Sequence, residues 1–327
     1  MRAIQAREAG DPDVLELVDL PDPDPGPGEV RVEVAFAGVN FIDTYRRAGV
    51  YPMTYPHVVG SEGAGRVVAL GDGVTSLAVG DRVAWSDAPG SYASAVLVRA
   101  ERALPVPDDV DDAAAAALPL QGLTAHYLAT STAPVLPGDD VLVHAGAGGV
   151  GLLLTQLAVA RGGRVLSTVS TAEKEELARA AGADVVIRYD QLADLDAELP
   201  ALVREATGGA GVAAVFDGVG RTTFDASLAS LRRRGTLVLF GGSSGQVPPV
   251  DLQRLNAAGS VYVTRPTLGD YTATPEELHE RAAELFDAVA AGTLDVRIGA
   301  RFPLADAAAA HAALESRGTT GKLVLEV

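Results

Sequence analysis

The chain has 327 residues, 48% of them hydrophobic, enough for two packed cores rather than one. Its 43 acidic and 26 basic side chains leave a formal charge of −17, which argues against nucleic acid as the main partner. There is no cysteine, so disulfides, thiolate-held zinc and thiol nucleophiles are excluded together. The segment Met1–Glu8 has no signal-peptide apolar core. No run reaches the roughly eighteen apolar residues of a membrane span. The expectation is a cytoplasmic chain without membrane insertion.

Residues 21–28, a Pro/Asp/Gly segment, cannot continue a strand or helix and form a surface connection. Val30–Val34 alternates with period two, as a half-buried strand does. Gly65–Gly71 and Asp81–Trp85 read as further strands, with Gly71–Gly73 and Val79–Asp81 as turns between them. Such short strands predict a small barrel-like β domain. Ala113–Ala117 has high helix propensity and follows four aspartates, Asp108, Asp109, Asp111 and Asp112, that suit a helix N-terminus.

From residue 141 the pattern changes to alternating strands and helices. Strands are predicted at 141–144, 164–169, 184–187, 212–217, 236–240 and 260–264. Helices are predicted at 150–161, 173–181, 191–206, 222–233 and 251–257. This alternation predicts a doubly wound parallel sheet in an α/β protein, with ligands at the carboxyl ends of its strands. The remainder holds a helix over 275–291, another over 306–316 and a final strand over 322–327. It lacks a full set of βα repeats, so it is expected to return to the first domain.

At the first of these strands, Val141–His144 runs into Gly146, Gly148, Gly149 and Gly151 and then an apolar helix. Gly146, Gly148 and Gly151 fit the G-x-G-x-x-G spacing of a dinucleotide site. The first glycine permits the turn, the second lets backbone approach a pyrophosphate, and the third packs helix on strand. The amides of the opening helical turn then receive the phosphates. After the second strand, an NAD-preferring fold carries an acid for the ribose hydroxyl. Here the tip is Ser167-Thr168-Val169-Ser170-Thr171, and Lys174 follows one turn into the helix. A hydroxyl beside an ammonium suits a 2′-phosphate, so NADPH is the expected coenzyme.

Several segments together carry a resemblance over nearly the whole length. They are Gly38–Tyr45, Gly60–Gly65, Gln121–Ala125, Ala145–Gly151, Phe240–Gly245, Tyr262–Pro266 and Glu315–Arg317. The chain resembles the zinc-independent quinone oxidoreductases of the medium-chain dehydrogenase/reductase superfamily, the group that includes zeta-crystallin. The resemblance implies a GroES-like β-barrel catalytic domain, residues 1–123 plus 265–327. A Rossmann NADPH-binding domain, residues 124–264, is inserted in it, and the coenzyme lies in the interdomain cleft. It implies a homodimer through the edge strand 260–264, and hydride transfer from NADPH to a quinone.

Carried over by position, the resemblance places Asn40, Asp43, Tyr45 and Thr124 at the nicotinamide end, with Asn40, Asp43 and Tyr45 as the catalytic set. Gly148, Gly149 and Val150 line the pyrophosphate, with Gly146 and Gly151 shaping the turn. Ser170, Lys174, Tyr189 and Arg317 surround the 2′-phosphate end. Phe240, Gly241 and Ser243 line the carboxamide wall. Tyr51 and Arg265 belong to the substrate cleft, Arg265 also to the coenzyme site.

Zinc dehydrogenases of the superfamily place a Cys ligand near position 40 and a His ligand where Ser61 stands, so no metal is expected here. His57 and Glu62 have no partner ligands. A quinone needs little electrophilic help, because the oxyanion formed is a stabilised phenolate. Donors such as the Asn40 amide and Tyr45 hydroxyl would steady that charge, each contributing roughly 3 kcal/mol where water is excluded. His126 and His144 read as core histidines, and His279 and His311 as residues of surface helices. The rival readings are an alkenal or enone double-bond reductase using the same cleft, and an NADPH-binding protein with little turnover.

Overall fold

The structure, a computed structural model, describes residues 1–327. The chain divides into two compact units, Met1–Leu123 with Thr272–Val327, and Thr124–Tyr271.

The first unit is built on strand Glu29–Val39, whose alternation buries Val30, Val32 and Val34. Along one side it pairs antiparallel with Glu62–Leu70, which continues to Arg82–Trp85 and Leu104–Pro105. Its other side is shared. Ala95–Arg99 pairs with residues 29–33, and Lys322–Glu326 pairs with residues 36–39. The terminal strand therefore returns to the first unit, as its isolation from the βα repeats predicts. Arg2–Ala6, Leu15–Asp19 and His57–Val58 form a separate three-stranded sheet, whose pattern the sequence reading passed over. The alanine run becomes helix Asp112–Ala117, capped by Asp111, whose side chain accepts from the Ala114 amide at 2.9 Å. Ala113–Ala117 are all buried: with methyl side chains only, the helix lies close on strands 29–39 and 62–70.

A buried ion pair crosses this sheet. Glu62 and Lys322 sit on the two strands flanking Gly38, which pairs with Glu62 on one side and Val324 on the other. A Cβ on Gly38 would stand 2.2 Å from Glu62 Oε2 and 2.9 Å from the Ala116 carbonyl. Only a missing side chain lets the carboxylate lie over the central strand and meet the Lys322 ammonium. The remaining capacity is filled. Lys322 also donates to Asn40 Oδ1 at 2.6 Å, and Glu62 accepts from the Leu120 amide at 2.6 Å and from Asn40 Nδ2 at 2.7 Å.

The second unit contains a six-stranded parallel sheet. Its order is Val185–Arg188, Arg164–Val169, Asp140–Val143, Val212–Asp217, Leu231–Leu239, Tyr262–Thr264. Numbered along the chain this is 3-2-1-4-5-6, the doubly wound order. The strand order reverses between Asp140–Val143 and Val212–Asp217, the switch point at whose carboxyl ends such sheets bind ligands. Leu142, Leu166, Val215, Phe216 and Leu237 form the buried middle.

Several element boundaries differ from the sequence reading, helix 191–206 beginning only at Leu195 among them. The helix expected over 222–233 runs only Phe224–Ser230, and the next strand begins at Leu231, not 236. Leu231 is buried and pairs with Val212 ahead of a bulge, while Arg232–Arg234 are exposed and Arg234 adopts a left-handed φ of 58°. The second unit also extends to Tyr271 rather than 264. Tyr271 stacks on Tyr127 with ring centroids 4.3 Å apart, and Arg265 donates to two carbonyls of the same unit.

Lys322→Met should cost about 3–5 kcal/mol in urea unfolding, because it leaves a buried carboxylate without its counter-ion. Adding Glu62→Gln should recover much of that loss; a single variant as stable as the parent would contradict it.

Candidate functional site

Within the second unit, strand Asp140–Val143 ends in a turn with no room for side chains. Ala145 is left-handed at φ 51°, Gly148 opens the helix, and Gly149–Ala160 is helical. A Cβ on Gly146 would stand 1.7 Å from Ser167 Oγ, and one on Gly151 2.4 Å from the Ala145 carbonyl. The turn is thus pressed against the sheet on one side. Gly149, Val150 and Gly151 occupy the opening turn, whose amides have no carbonyl four residues earlier within the helix. This is an anion cradle made of backbone, and a phosphate pair fits its chemistry.

The other expected residues of this unit follow the ends of neighbouring strands. Ser170 and Lys174 come after Arg164–Val169, where the Thr171 hydroxyl caps helix Ala172–Ala180 by accepting from the Lys174 amide at 3.2 Å. The Lys174 side chain is half-buried, and that burial lowers its pKa despite Glu173 beside it. Tyr189 follows Val185–Arg188 and is 41% exposed. Phe240, Gly241 and Ser243 follow Leu231–Leu239, and Arg265 follows Tyr262–Thr264. The topology therefore gathers residues from five strand ends on one edge of one sheet. Thr124 opens this unit and is buried; Arg317 belongs to the first unit, exposed, with a left-handed φ of 59°.

In the first unit, Asn40 caps helix Phe41–Arg47, Asp43 lies in its first turn and Tyr45 further along it. Asn40 and Asp43 form a capping box, in which Asp43 Oδ2 accepts from the Asn40 amide at 3.0 Å. Tyr45 lies between Phe41 and Tyr51, with ring centroids 6.1 and 6.2 Å away. One expected role changes. The Asn40 side-chain nitrogen donates to Glu62 and to the Gly38 carbonyl, and its oxygen accepts from Lys322. Asn40 is 3% exposed, so its amide holds the fold rather than donating to a reacting oxygen.

His311 also differs from expectation. It is fully buried, not a surface residue. Its Nδ1 faces the Arg47 guanidinium at 3.3 Å and its Nε2 faces the Tyr92 hydroxyl at 3.2 Å. Arginine only donates, so Nδ1 accepts and Nε2 carries the proton. Tyr92 donates onward to Asp43 Oδ2 at 3.2 Å, and Ser61 donates to Oδ1 at 3.0 Å while accepting from Arg46 at 2.5 Å. Arg47 is held at its far end by both oxygens of Glu315, at 2.8 and 3.1 Å. No sequence pattern joins residues 43, 92 and 311.

Comparison with known proteins completes this picture. A profile described as the alcohol dehydrogenase GroES-like domain matches residues 26–108, and one described as zinc-binding dehydrogenase matches residues 181–325. A quinone oxidoreductase of Pseudomonas aeruginosa is 45% identical over 326 residues, covering 99% of each chain. The chain belongs to the quinone oxidoreductase family of medium-chain dehydrogenases/reductases. A mycobacterial member of known structure, solved with NADPH, is 56% identical, covers 100% of each chain and superposes with a TM-score of 0.97. A 2-haloacrylate reductase of a Burkholderia species is 42% identical, over 97% of this chain and 96% of that one.

The zinc in one profile's description does not fit this family member. Glu62 is neutralised by Lys322 and saturated by hydrogen bonds, so a second cation there would face an ammonium. Ser61 is engaged by Arg46 and Asp43. Nowhere do three His, Asp or Glu side chains converge as a metal would need, and cysteine is absent.

The buried groups of the first unit titrate in opposite senses. Burial pushes Asp43 up to about 6, against the pull of Ser61, Arg46 and Lys322. Between its ordinary 3.8 and about 6, the folded protein holds a proton that the unfolded chain has lost, so this group lowers stability as pH rises through that window. Burial, with Arg47 adding, lowers His311 from 6.5 to about 3; its contribution is full above 6.5 and is lost as pH falls toward 3. The two slopes oppose each other between pH 4 and 6. Asp43→Asn should remove one of them, steepening the rise of unfolding free energy over that range by roughly 1.4 kcal/mol per pH unit, one proton's worth. Denaturant titrations at several pH values would read this, and an unchanged slope would refute it.

Proposed function

We propose that the chain is an NADPH-dependent quinone oxidoreductase acting without a metal. The observation that carries this is the backbone anion cradle at Gly146–Gly151, flanked at the next strand end by Ser170 and Lys174, with no acid at the strand tip Ser167–Thr171. NADPH, when bound, supplies a hydride. Gly149, Val150 and Gly151 amides would hold the pyrophosphate, and Ser170, Lys174 and Tyr189 the 2′-phosphate. Phe240, Gly241 and Ser243 flank the carboxamide, and Arg265 holds their loop by donating to the Leu239 and Gly241 carbonyls, each at 3.2 Å.

On the acceptor side, Tyr45 and Tyr51 offer aromatic faces to a planar ring, and the Tyr45 hydroxyl steadies the oxygen that gains charge. Asp43 and Asn40 fix the helix that carries Tyr45 rather than touching the acceptor. A quinone suits this set because its reduced oxygen needs only hydrogen bonds, not a Lewis acid. The Burkholderia relative favours a second reading, reduction of an activated carbon–carbon double bond by the same hydride donor.

NADPH consumption across quinones and α,β-unsaturated carbonyls, with NADH alongside, tests both readings. NADPH and quinones should be preferred. Lys174→Ala should raise the NADPH KM about tenfold or more while leaving the NADH KM unchanged, as loss of a charge-assisted phosphate contact does. A preference for NADH would overturn the coenzyme assignment, faster turnover of enones the acceptor assignment, and NADPH binding without turnover of any acceptor the enzymatic reading.

We also propose a homodimer through the edge strand Tyr262–Thr264, which pairs on one side only; Tyr262 is 62% and Val263 38% exposed. Light scattering should give twice the 33.5 kDa chain mass. Placing Lys at both Tyr262 and Val263 should yield a monomer, since edge charges block strand pairing.

A further inference from the structure

The second unit contains a buried polar chain that the proposed chemistry does not use. His144 follows strand Asp140–Val143, just before the glycine turn, and is 2% exposed. Its Nδ1 lies 2.9 Å from Thr168 Oγ1 and its Nε2 2.9 Å from Ser227 Oγ. Ser227 in turn reaches Asp217 Oδ2 at 2.8 Å. A carboxylate only accepts, so the single Ser227 hydrogen points to Asp217. Ser227 must then accept from His144 Nε2–H, which leaves Nδ1 to accept the Thr168 hydroxyl. Every direction in the chain is thereby fixed: Thr168 to His144 to Ser227 to Asp217.

Both ends of this chain grip coenzyme loops. Thr168 accepts the Gly146 amide on its carbonyl at 3.0 Å, at the start of the glycine turn. Asp217 Oδ1 accepts the amides of Val219 and Gly220 at 2.8 and 3.0 Å, and Thr223 closes on the same carboxylate. That loop is laced to residues 240–245. The Asp217 carbonyl accepts the Phe240 amide at 2.9 Å, the Gly218 carbonyl accepts Ser243 at 3.3 Å, and the Val219 carbonyl accepts Ser244 at 2.8 Å. A Cβ on Gly218 would stand 2.9 Å from the Phe240 ring.

We propose that His144 is a positioning residue: through Ser227 and Asp217 it sets the spacing between the pyrophosphate turn and the loop 240–245 that flanks the nicotinamide. The inference rests on the NADPH reading above. An imidazole suits the task because it is rigid, offers one donor and one acceptor on opposite sides, and bridges strand Arg164–Val169 to helix Phe224–Ser230 without a charge; burial lowers its pKa, although Asp217 pulls the other way.

The test compares NADPH with adenosine 2′,5′-bisphosphate, which lacks the nicotinamide half, by fluorescence or calorimetric titration. His144→Leu should raise the NADPH Kd about tenfold or more while raising that of the bisphosphate less than about threefold, the size expected for a coupled polar network. His144→Gln, which keeps one donor and one acceptor, should recover most of the loss. Should His144→Leu fail to fold, Ser227→Ala removes one link and should show the same split at smaller size. Equal losses for both ligands, no loss in a folded variant, or failure of Gln to rescue would overturn the proposal. If the parent protein binds neither ligand, it is the NADPH reading that fails.

Discussion

The passage from strand Asp140–Val143 into helix Gly149–Ala160 permits no side chain at Gly146 or Gly151, and much of the second unit is arranged around that constraint. Backbone pressed so close to the sheet brings the helix start over the strand ends. The parallel order then lines up four further strand ends beside it, so that Ser170, Tyr189, Phe240 and Arg265 need no special device to share an edge. Their proximity is a property of topology first and of side chains second.

The first unit solves a different problem, that of keeping charge inside. Its interior holds Lys322, Glu62, Asp43 and Arg47, each 1% exposed or less. None is left unmatched: Glu62 meets Lys322, Asp43 accepts from three donors, and Arg47 reaches Glu315. Burying such groups adds little net stability, but removing one partner exposes the full desolvation cost of the other. Their value lies in directionality. A saturated network has one arrangement, and the helix bearing Tyr45 inherits it.

The sequence made the second unit legible because its signals are local. A run such as Val212–Phe216 is apolar throughout, the glycine spacing is fixed within six residues, and the missing acid at the tip Val169–Thr171 is visible as a gap in a known pattern. The boundary at Leu231 was not legible, since three arginines favour helix as readily as an exposed strand extension. In the first unit the decisive contacts join residues far apart in the chain. Asn40 reads as a free donor until Lys322 and Glu62 are seen on either side of it, and His311 reads as a surface residue until Tyr92 and Arg47 close over it. Asp217, at the end of an apolar strand, carried a detectable signal: an acid there has to find donors, and it finds them in the next turn.

Strand Glu29–Val39 cannot complete its hydrogen bonding until Lys322–Glu326 has been synthesised, some three hundred residues later. The parallel sheet, by contrast, draws only on the uninterrupted stretch 124–271. On a ribosome, the middle of the polypeptide therefore has all its partners first, and the beginning must wait, partly unpaired, for the end. Gly38 and Glu62 spend that interval without Lys322, so the middle of this molecule is whole before its beginning is.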